Sequence, residues 1–300
     1  MSNEPVGPYS RTTSQMKPLA EVAVIGAGTM GAGIAQVTAM AGYPVRLFDV
    51  EQGILDRAMV HIQQNLSKGI ERGKVSPEQQ RLSLQCLHTT TDLATAADNA
   101  YLVIEAIPEV LEAKQQLLRQ LDTLCPTDTL LCSNTSSIRI ADLATVTARP
   151  ENILGTHFFN PVHIMPLLEI IITKQTDPDA LQRIQQFARA IGKESIVIQD
   201  FPGFATSRLG VCLGLEAIRM LEQGVASAKD IDKAMALGYG HPMGPLKLTD
   251  LVGLDVRLQI ADYLNNSLTG TNFQAPELLR QMVKQGKLGK KSGQGFYHWE

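Results

Sequence analysis

One segment constrains the fold more than any other. Residues 21–26 read EVAVIG, a short β-branched run ending in glycine. Gly26-Ala27-Gly28-Thr29-Met30-Gly31 places glycine first, third and sixth, and residues 29–41 then read as a helix of small residues. PVRLFD, 44–49, reads as a second strand. Strand, glycine turn, helix and strand make a β-α-β unit, and such units build parallel sheets. In this pattern Gly26 permits the tight turn, Gly28 lets backbone approach a pyrophosphate, and Gly31 lets helix pack on strand. The helix N-terminus then offers N–H groups to the phosphates. Asp49 ends the second strand 23 residues after Gly26. A carboxylate there accepts hydrogen bonds from ribose hydroxyls and repels a 2′-phosphate. The segment predicts a site for NAD rather than NADP, with Gly26, Gly28, Thr29, Met30, Gly31 and Asp49 as its contacts. Arg46 lies within the strand and is not placed for a 2′-phosphate.

Further strand-like runs follow at 101–107, 129–134, 152–159, 166–172 and 195–200. The stretches 54–72 and 77–85 read as helices, a helical insertion between the second and third strands that is longer than a crossover needs. Residues 109–121 carry a helical leucine stripe. After Asp200 the strands stop. The pattern there predicts helices over 205–223 (closed by Gly224), 228–237 (closed by Gly238), 246 to about 265, and beyond Pro276. The fold class expected is α/β: a Rossmann-type, mostly parallel sheet over 19–200 with a helical insertion, then an all-α domain over 201–300. Residues 1–18 are polar and rich in Ser, Thr and Pro, with no apolar core of a secretory signal. They read as a disordered tail, with a mitochondrial presequence as the alternative.

Composition removes several function classes. Apolar residues are 44% of the chain and charged residues 19%, so the chain can build a core. Formal net charge is −3 with no charged block, which argues against nucleic-acid or anionic-membrane partners. No apolar run is long enough for a membrane helix. Cys86, Cys125, Cys132 and Cys212 are scattered without a CxxC pair. They read as buried thiols of a reducing compartment, which points to the cytoplasm, and not as a disulfide frame or metal site.

Oxidising an alcohol against a nicotinamide requires a base for the hydroxyl proton, and imidazole titrates in the useful range. Of six histidines, His157 stands out because it sits near the end of a strand in the nucleotide domain. Glu169, 12 residues on, lies in the next strand among Leu167, Leu168, Ile170 and Ile171. A carboxylate in so apolar a run needs a partner. Pairing with His157 would fix the tautomer; an arginine or backbone partner is the alternative. Ser133-Asn134-Thr135-Ser136-Ser137 follows a strand. Its hydroxyls could hold a carbonyl oxygen, and Ser136 and Ser137 also suit helix capping.

Taken in order, VIGAGTMGAGIAQ, VIEAIPE, SNTSS, GTHFFNPVHIMPLLEII, PGF, HPMGPLKLTDLVGLD and GKKSGQGFY resemble the L-3-hydroxyacyl-CoA dehydrogenases, most closely the bacterial 3-hydroxybutyryl-CoA dehydrogenases. The resemblance covers residues 20–300. It implies NAD-dependent interconversion of (S)-3-hydroxyacyl-CoA and 3-ketoacyl-CoA, with His157 as base, Glu169 as its partner and Ser136 on the substrate's 3-oxygen. It implies that Glu105, Glu109, Lys114 and Asn134 lie near the nicotinamide, and that Lys68 meets CoA phosphates. It also implies a homodimer through the helical domain, with HPMGP as a structural and subunit-contact element. Two positions depart from the pattern. Ser207 stands where the family carries an active-site Asn, and Arg72 where close relatives carry a CoA-side Lys, with Lys74 nearby. These departures leave open an acyl group tethered to an acyl-carrier protein instead of CoA. A non-enzymatic NAD binder is a third reading, which the intact His157, Glu169 and Ser136 set opposes.

Overall fold

The computed structural model describes residues 20–300; the readings made for 1–18 lie outside the described residues. The chain divides between Asp200 and Phe201 into two compact units. In the first, β1 (Glu21–Ile25) leads through the glycine turn into α1 (Thr29–Met40) and then β2 (Val45–Phe48). Next come α2 (Gln52–Glu71), α3 (Pro77–Gln85), β3 (Leu87–Thr90), α4 (Leu93–Ala97) and β4 (Ala100–Glu105). They are followed by α5 (Leu111–Leu124), β5 (Leu130–Ser133), α6 (Ile140–Ala144), β6 (Ile153–Phe158), β7 (Leu167–Ile172), α7 (Pro178–Ala190) and β8 (Glu194–Gln199). The strands form one sheet in the order β3-β2-β1-β4-β5-β6-β7-β8. The pairs from β3 to β6 are parallel, β7 runs antiparallel to β6, and β8 is parallel to β7. The carboxyl ends of β1, β2, β4, β5 and β6 therefore share one edge. The strand order reverses between β1 and β4, where such sheets bind ligands.

The glycine turn is built as its sequence requires. Gly26 has φ +100°, and a Cβ there would stand 2.8 Å from the Ala106 carbonyl oxygen. A Cβ on Gly31 would overlap the Gly26 carbonyl oxygen. α1 is buried from Gly31 through Ala39, and its Gly33 backs directly onto Val162. The helical insertion docks by one stripe of α2, Leu55, Ala58, Ile62 and Leu66, spaced three or four residues apart. Full burial of each large member is worth about 1.5–3 kcal/mol.

β3 is a strand absent from the runs expected of the sequence: His88 lies in it, at the sheet edge beside β2. The strand has four residues, two of them exposed, so it carries no apolar alternation. The capping reading of Ser136 and Ser137 is also corrected. α6 starts at Ile140, and the Asp200 carboxylate accepts from the Ile140 and Ala141 N–H groups at 2.9 and 2.8 Å.

The second unit holds α8 (Thr206–Glu222), α9 (Ala228–Tyr239), α10 (Pro245–Val252), α11 (Leu254–Ser267) and α12 (Glu277–Lys284). Two expectations fail in detail. Gly238 lies inside α9, which ends at Gly240 in a left-handed conformation (φ +70°). The helix expected from 246 to about 265 is two helices, parted by Gly253 at φ +101°. Two buried carboxylates brace this unit. Asp232 accepts from the Leu246 and Lys247 N–H groups at the start of α10. Asp250 accepts from the Phe296 and Tyr297 N–H groups and from the Trp299 indole, which pins the C-terminal segment. Gly244 leaves no space for a side chain against Asp232, and Gly295 leaves none against Asp250. The HPMGP and GKKSGQGF stretches are therefore structural in this unit.

Candidate active site

The cofactor end of the site is an open helix terminus. No side chain caps α1, and its first turn carries no acid. Its leading N–H groups have no intrahelical acceptor and a positive dipole end faces outward. A Cβ added at Gly28 would meet no atom within 4 Å, so space lies open at the point where a pyrophosphate must approach. Asp49 accepts from the Ala27 N–H at 2.8 Å and from the Glu51 N–H at 3.3 Å. It thereby fixes the glycine turn while keeping lone pairs for two ribose hydroxyls. Arg46 is paired with Glu21 at 2.7 Å. The residues present fit a dinucleotide without a 2′-phosphate.

Beneath the sheet edge lies a buried polar network. Lys114, on α5, reaches Glu105 at the end of β4, with Nζ–Oε1 of 2.6 Å and both side chains almost fully buried. Glu105 also accepts from the Ile107 N–H at 2.7 Å and from the Ser133 hydroxyl at 2.5 Å. Lys114 lies 3.5 Å from Glu109 Oε2. Glu109 Oε1 gathers the Thr135 hydroxyl (2.6 Å), the Ser136 N–H (2.9 Å), and the Ser137 N–H and hydroxyl (both 3.0 Å). Burial pushes the Glu109 carboxyl up, but Lys114 and these donors outweigh it and hold it below the usual carboxylate range. Thr135, not Ser136 or Ser137, turns the loop, accepting from the Ser137 and Ile138 N–H groups. The Ser136 hydroxyl has no hydrogen-bond partner among the described residues. It is a polar group held in place by its own backbone. The Lys114 ammonium bonds Glu105, Glu109 and the Ile107 carbonyl within this network. Asn134 Oδ1 accepts from the Phe158 N–H at 2.9 Å and clips the end of β5 to that of β6.

That clip sits next to His157. His157 and Glu169 are direct cross-strand partners in the β6–β7 ladder. Nδ1 stands 2.7 Å from Glu169 Oε2, with Glu169 fully buried and His157 6% exposed. With the carboxylate ionised, Nδ1 carries the proton and Nε2 is the basic nitrogen. Phe159 packs against the imidazole at 4.6 Å between centroids and limits its rotation.

Lys68 and Arg72 lie exposed at the end of α2, with Lys74 just beyond. The sequence reading missed three groups near them. Partial burial, and then the charges of His61, Lys193 and Arg72, hold His163 below the ordinary imidazole range. Lys193 is buried and bonds the carbonyls of Val162 and Met165; burial lowers it to about 8. This cluster joins α2 to the segment after β6, and only the fold brings the two together. Ser207 stands in the first turn of α8 in the second unit, half-buried.

Among the described residues no cluster of His, Cys, Asp or Glu could hold a metal, and no helix is long and apolar enough to cross a membrane. All four cysteines are free; Cys125 and Cys132 are buried, whereas Cys86 and Cys212 are half-buried.

Comparison with known proteins agrees with this architecture. Residues 21–201 match the NAD-binding domain of 3-hydroxyacyl-CoA dehydrogenase, and residues 203–299 match the C-terminal domain. A probable 3-hydroxybutyryl-CoA dehydrogenase of Bacillus subtilis is 40% identical over 280 residues, covering 93% of this chain and 97% of that protein. The crystal structure of Mycobacterium tuberculosis FadB2 superposes with a TM-score of 0.91 at 41% identity, covering 95% of this chain and all of that one. The (S)-3-hydroxybutyryl-CoA dehydrogenase of Ralstonia eutropha superposes with a TM-score of 0.90 at 34% identity, covering 94% and 99%. The chain is a member of the NAD-dependent 3-hydroxyacyl-CoA dehydrogenase family.

Proposed function

We propose that this protein interconverts short-chain (S)-3-hydroxyacyl-CoA, such as 3-hydroxybutyryl-CoA, and the corresponding 3-ketoacyl-CoA. The observation that carries the reading is the buried His157–Glu169 pair at 2.7 Å. A binder without chemistry has no use for a base oriented by a fully buried carboxylate. His157 Nε2 takes the proton of the 3-hydroxyl, and Glu169 steadies the imidazolium that forms. Ser136 donates its hydroxyl to the same oxygen as it becomes a carbonyl. Ser207 is the second donor, in place of the family's amide. When bound, NAD supplies the hydride acceptor. Reduction runs through the same groups, with the imidazolium giving the proton back. Gly26, Gly28, Thr29, Met30, Gly31 and Asp49 hold the pyrophosphate and ribose, and Glu109 and Asn134 shape the nicotinamide end.

Lys68 and Arg72 supply the charge that meets the CoA phosphates. The working form is a homodimer. Leu209, Leu237 and Tyr239 of the second unit are 72%, 75% and 79% exposed, large apolar side chains that a second copy would cover. Four free thiols suit a cytoplasmic, reducing compartment. The test is NADH consumption with acetoacetyl-CoA and with acetoacetyl-carrier protein in parallel. Turnover on the CoA thioester supports the reading. Turnover on the carrier protein alone moves the substrate to a tethered acyl group. Silence on both retires the reading.

A further inference from the structure

Lys193, between α7 and β8, is a buried cation that the proposed reaction does not use. It is 7% exposed, and among the described residues no carboxylate pairs with it. Its ammonium donates instead to the backbone carbonyls of Val162 and Met165, the second at 2.7 Å. Burying an ammonium without a counter-charge is costly, and two carbonyls return only part of that cost. Both carbonyls belong to one turn, residues 161–165, in the connection from β6 to β7. The strand before the turn carries His157 and the strand after it carries Glu169.

The turn has little else to hold it. The Ile164 and Met165 N–H groups both donate to the Pro161 carbonyl, at 3.0 Å each. Between Asn160 and Pro166 only Val162 is buried. Its side chain packs on α1: a Cβ added at Gly33 would stand 2.9 Å from Val162 Cβ and Cγ2. Gly33 lies one turn into the helix whose leading N–H groups are open to the pyrophosphate. The turn is therefore anchored at two points, by Val162 on the cofactor helix and by Lys193 through its carbonyls. Lys193 is itself fixed in place. Its own N–H donates to the Ala188 carbonyl of α7 at 2.8 Å, and the Glu194 N–H donates to the Pro166 carbonyl at 2.9 Å. Phe159, at the head of the turn, packs on the His157 imidazole at 4.6 Å between centroids. A shift of the turn would thus move the ring that limits the imidazole together with the seat of the cofactor helix.

Resting on the reaction proposed above, we propose that Lys193 is a positioning residue: it fixes the turn between the two strands of the catalytic pair and, through Val162, keeps His157 aligned with the helix that seats the cofactor. It acts through the turn and takes no part in the proton transfer itself. Alignment of this kind is worth a great deal, since a misplacement of about 1 Å costs roughly a hundredfold in rate. Methionine at this position fills similar volume and removes only the donors.

The test uses the full-length enzyme and follows single-turnover oxidation of bound NADH by saturating acetoacetyl-CoA, with NADH affinity and Tm measured beside it. Lys193→Met is expected to slow this step about ten- to a hundredfold while NADH affinity stays within about threefold, because the α1 N-terminus and Asp49 are untouched. Val162→Ala is expected to slow the same step. The double variant is expected to fall well short of the product of the two effects, since both act through one turn. Arg149→Met is the control. Arg149 is another buried cation on backbone carbonyls, those of Leu121, Asp122, Cys125 and Pro126, and is also paired with Asp122. It lies where α5 ends and the chain enters β5, at the sheet edge opposite to His157. Its loss is expected to lower Tm and leave the rate of the step unchanged. An unchanged rate in Lys193→Met overturns the proposal. So does a rate that falls as far in Arg149→Met, because general loosening then explains both, and so do effects of Lys193→Met and Val162→Ala that simply multiply. If Lys193→Met does not fold, Val162→Ala decides: a slowed step with NADH affinity retained supports the proposal, and an unchanged step overturns it. A wild type inactive on acetoacetyl-CoA overturns the reaction and this inference together, whereas an active wild type with an equally fast Lys193→Met overturns the inference alone.

Discussion

Replacing Lys114 by Met removes the one cation that the described residues place in a network holding two carboxylates. In the folded chain Lys114 Nζ is 2.6 Å from Glu105 and 3.5 Å from Glu109, with Glu105 fully buried. Methionine fills similar volume, so the loss is of charge, not of packing. Breaking a buried pair by deleting one partner strands the other and costs about 3–5 kcal/mol. In a unit of this size that lowers Tm by about 10 °C. The cost depends on pH in a defined direction. Glu109 is held below its usual range with Lys114 present, so in the wild type it stabilises the fold above the unfolded carboxylate pKa. That stability is lost as pH falls through the depressed folded value. Without Lys114, burial is opposed only by the loop's donors, and Glu109 binds a proton more readily than in the wild type. The variant's deficit is therefore expected to be largest near pH 8 and to shrink toward pH 5. Because Glu109 Oε1 carries the Ser136 and Ser137 backbone, turnover should fall along with stability. Urea unfolding of both proteins at the two pH values measures this. A deficit below about 1 kcal/mol, or one equal at both pH values, would refute the account of the network.

Three further outcomes follow from the geometry. Gly28→Ala meets no protein atom and should keep its Tm while weakening NADH binding, whereas Gly31→Ala collides with Gly26 and should fail to fold; fluorescence titration and thermal melts separate the two. Asp49→Asn removes the charge that repels a 2′-phosphate, so the kcat/KM ratio of NADH to NADPH should narrow, with some loss of stability from the weakened Ala27 N–H bond. Glu169→Gln keeps a neutral hydrogen bond to His157 Nδ1 but removes the charge that steadies the imidazolium. It should lower kcat roughly ten- to a hundredfold with KM for NADH little changed, as steady-state kinetics would report.

What the sequence could and could not display follows from where each interaction lives. The glycine turn and Asp49 are local, and the structure returns them as read. His157 and Glu169 are 12 residues apart in consecutive strands, and a carboxylate set among apolar residues pointed to a partner at that spacing. Asp200 caps α6 from 60 residues away, and Arg72 reaches the neighbourhood of His163 only after α2 has docked; neither leaves a local trace. The break at Gly253 is a backbone conformation inside a continuous helical pattern, which periodicity cannot reveal. β3 is too short and too exposed at the sheet edge to alternate.

The most direct test of the central claim is the rate of NADH oxidation at saturating acetoacetyl-CoA for the wild type and for His157→Ala, with NADH affinity measured on both. A general base of this kind contributes roughly 10²–10⁴-fold. The account predicts a fall in kcat of that size with NADH binding retained, since His157 takes no part in holding the pyrophosphate or ribose. Equal turnover in the two proteins would contradict the assignment of His157 and, with it, the mechanism built on the His157–Glu169 pair.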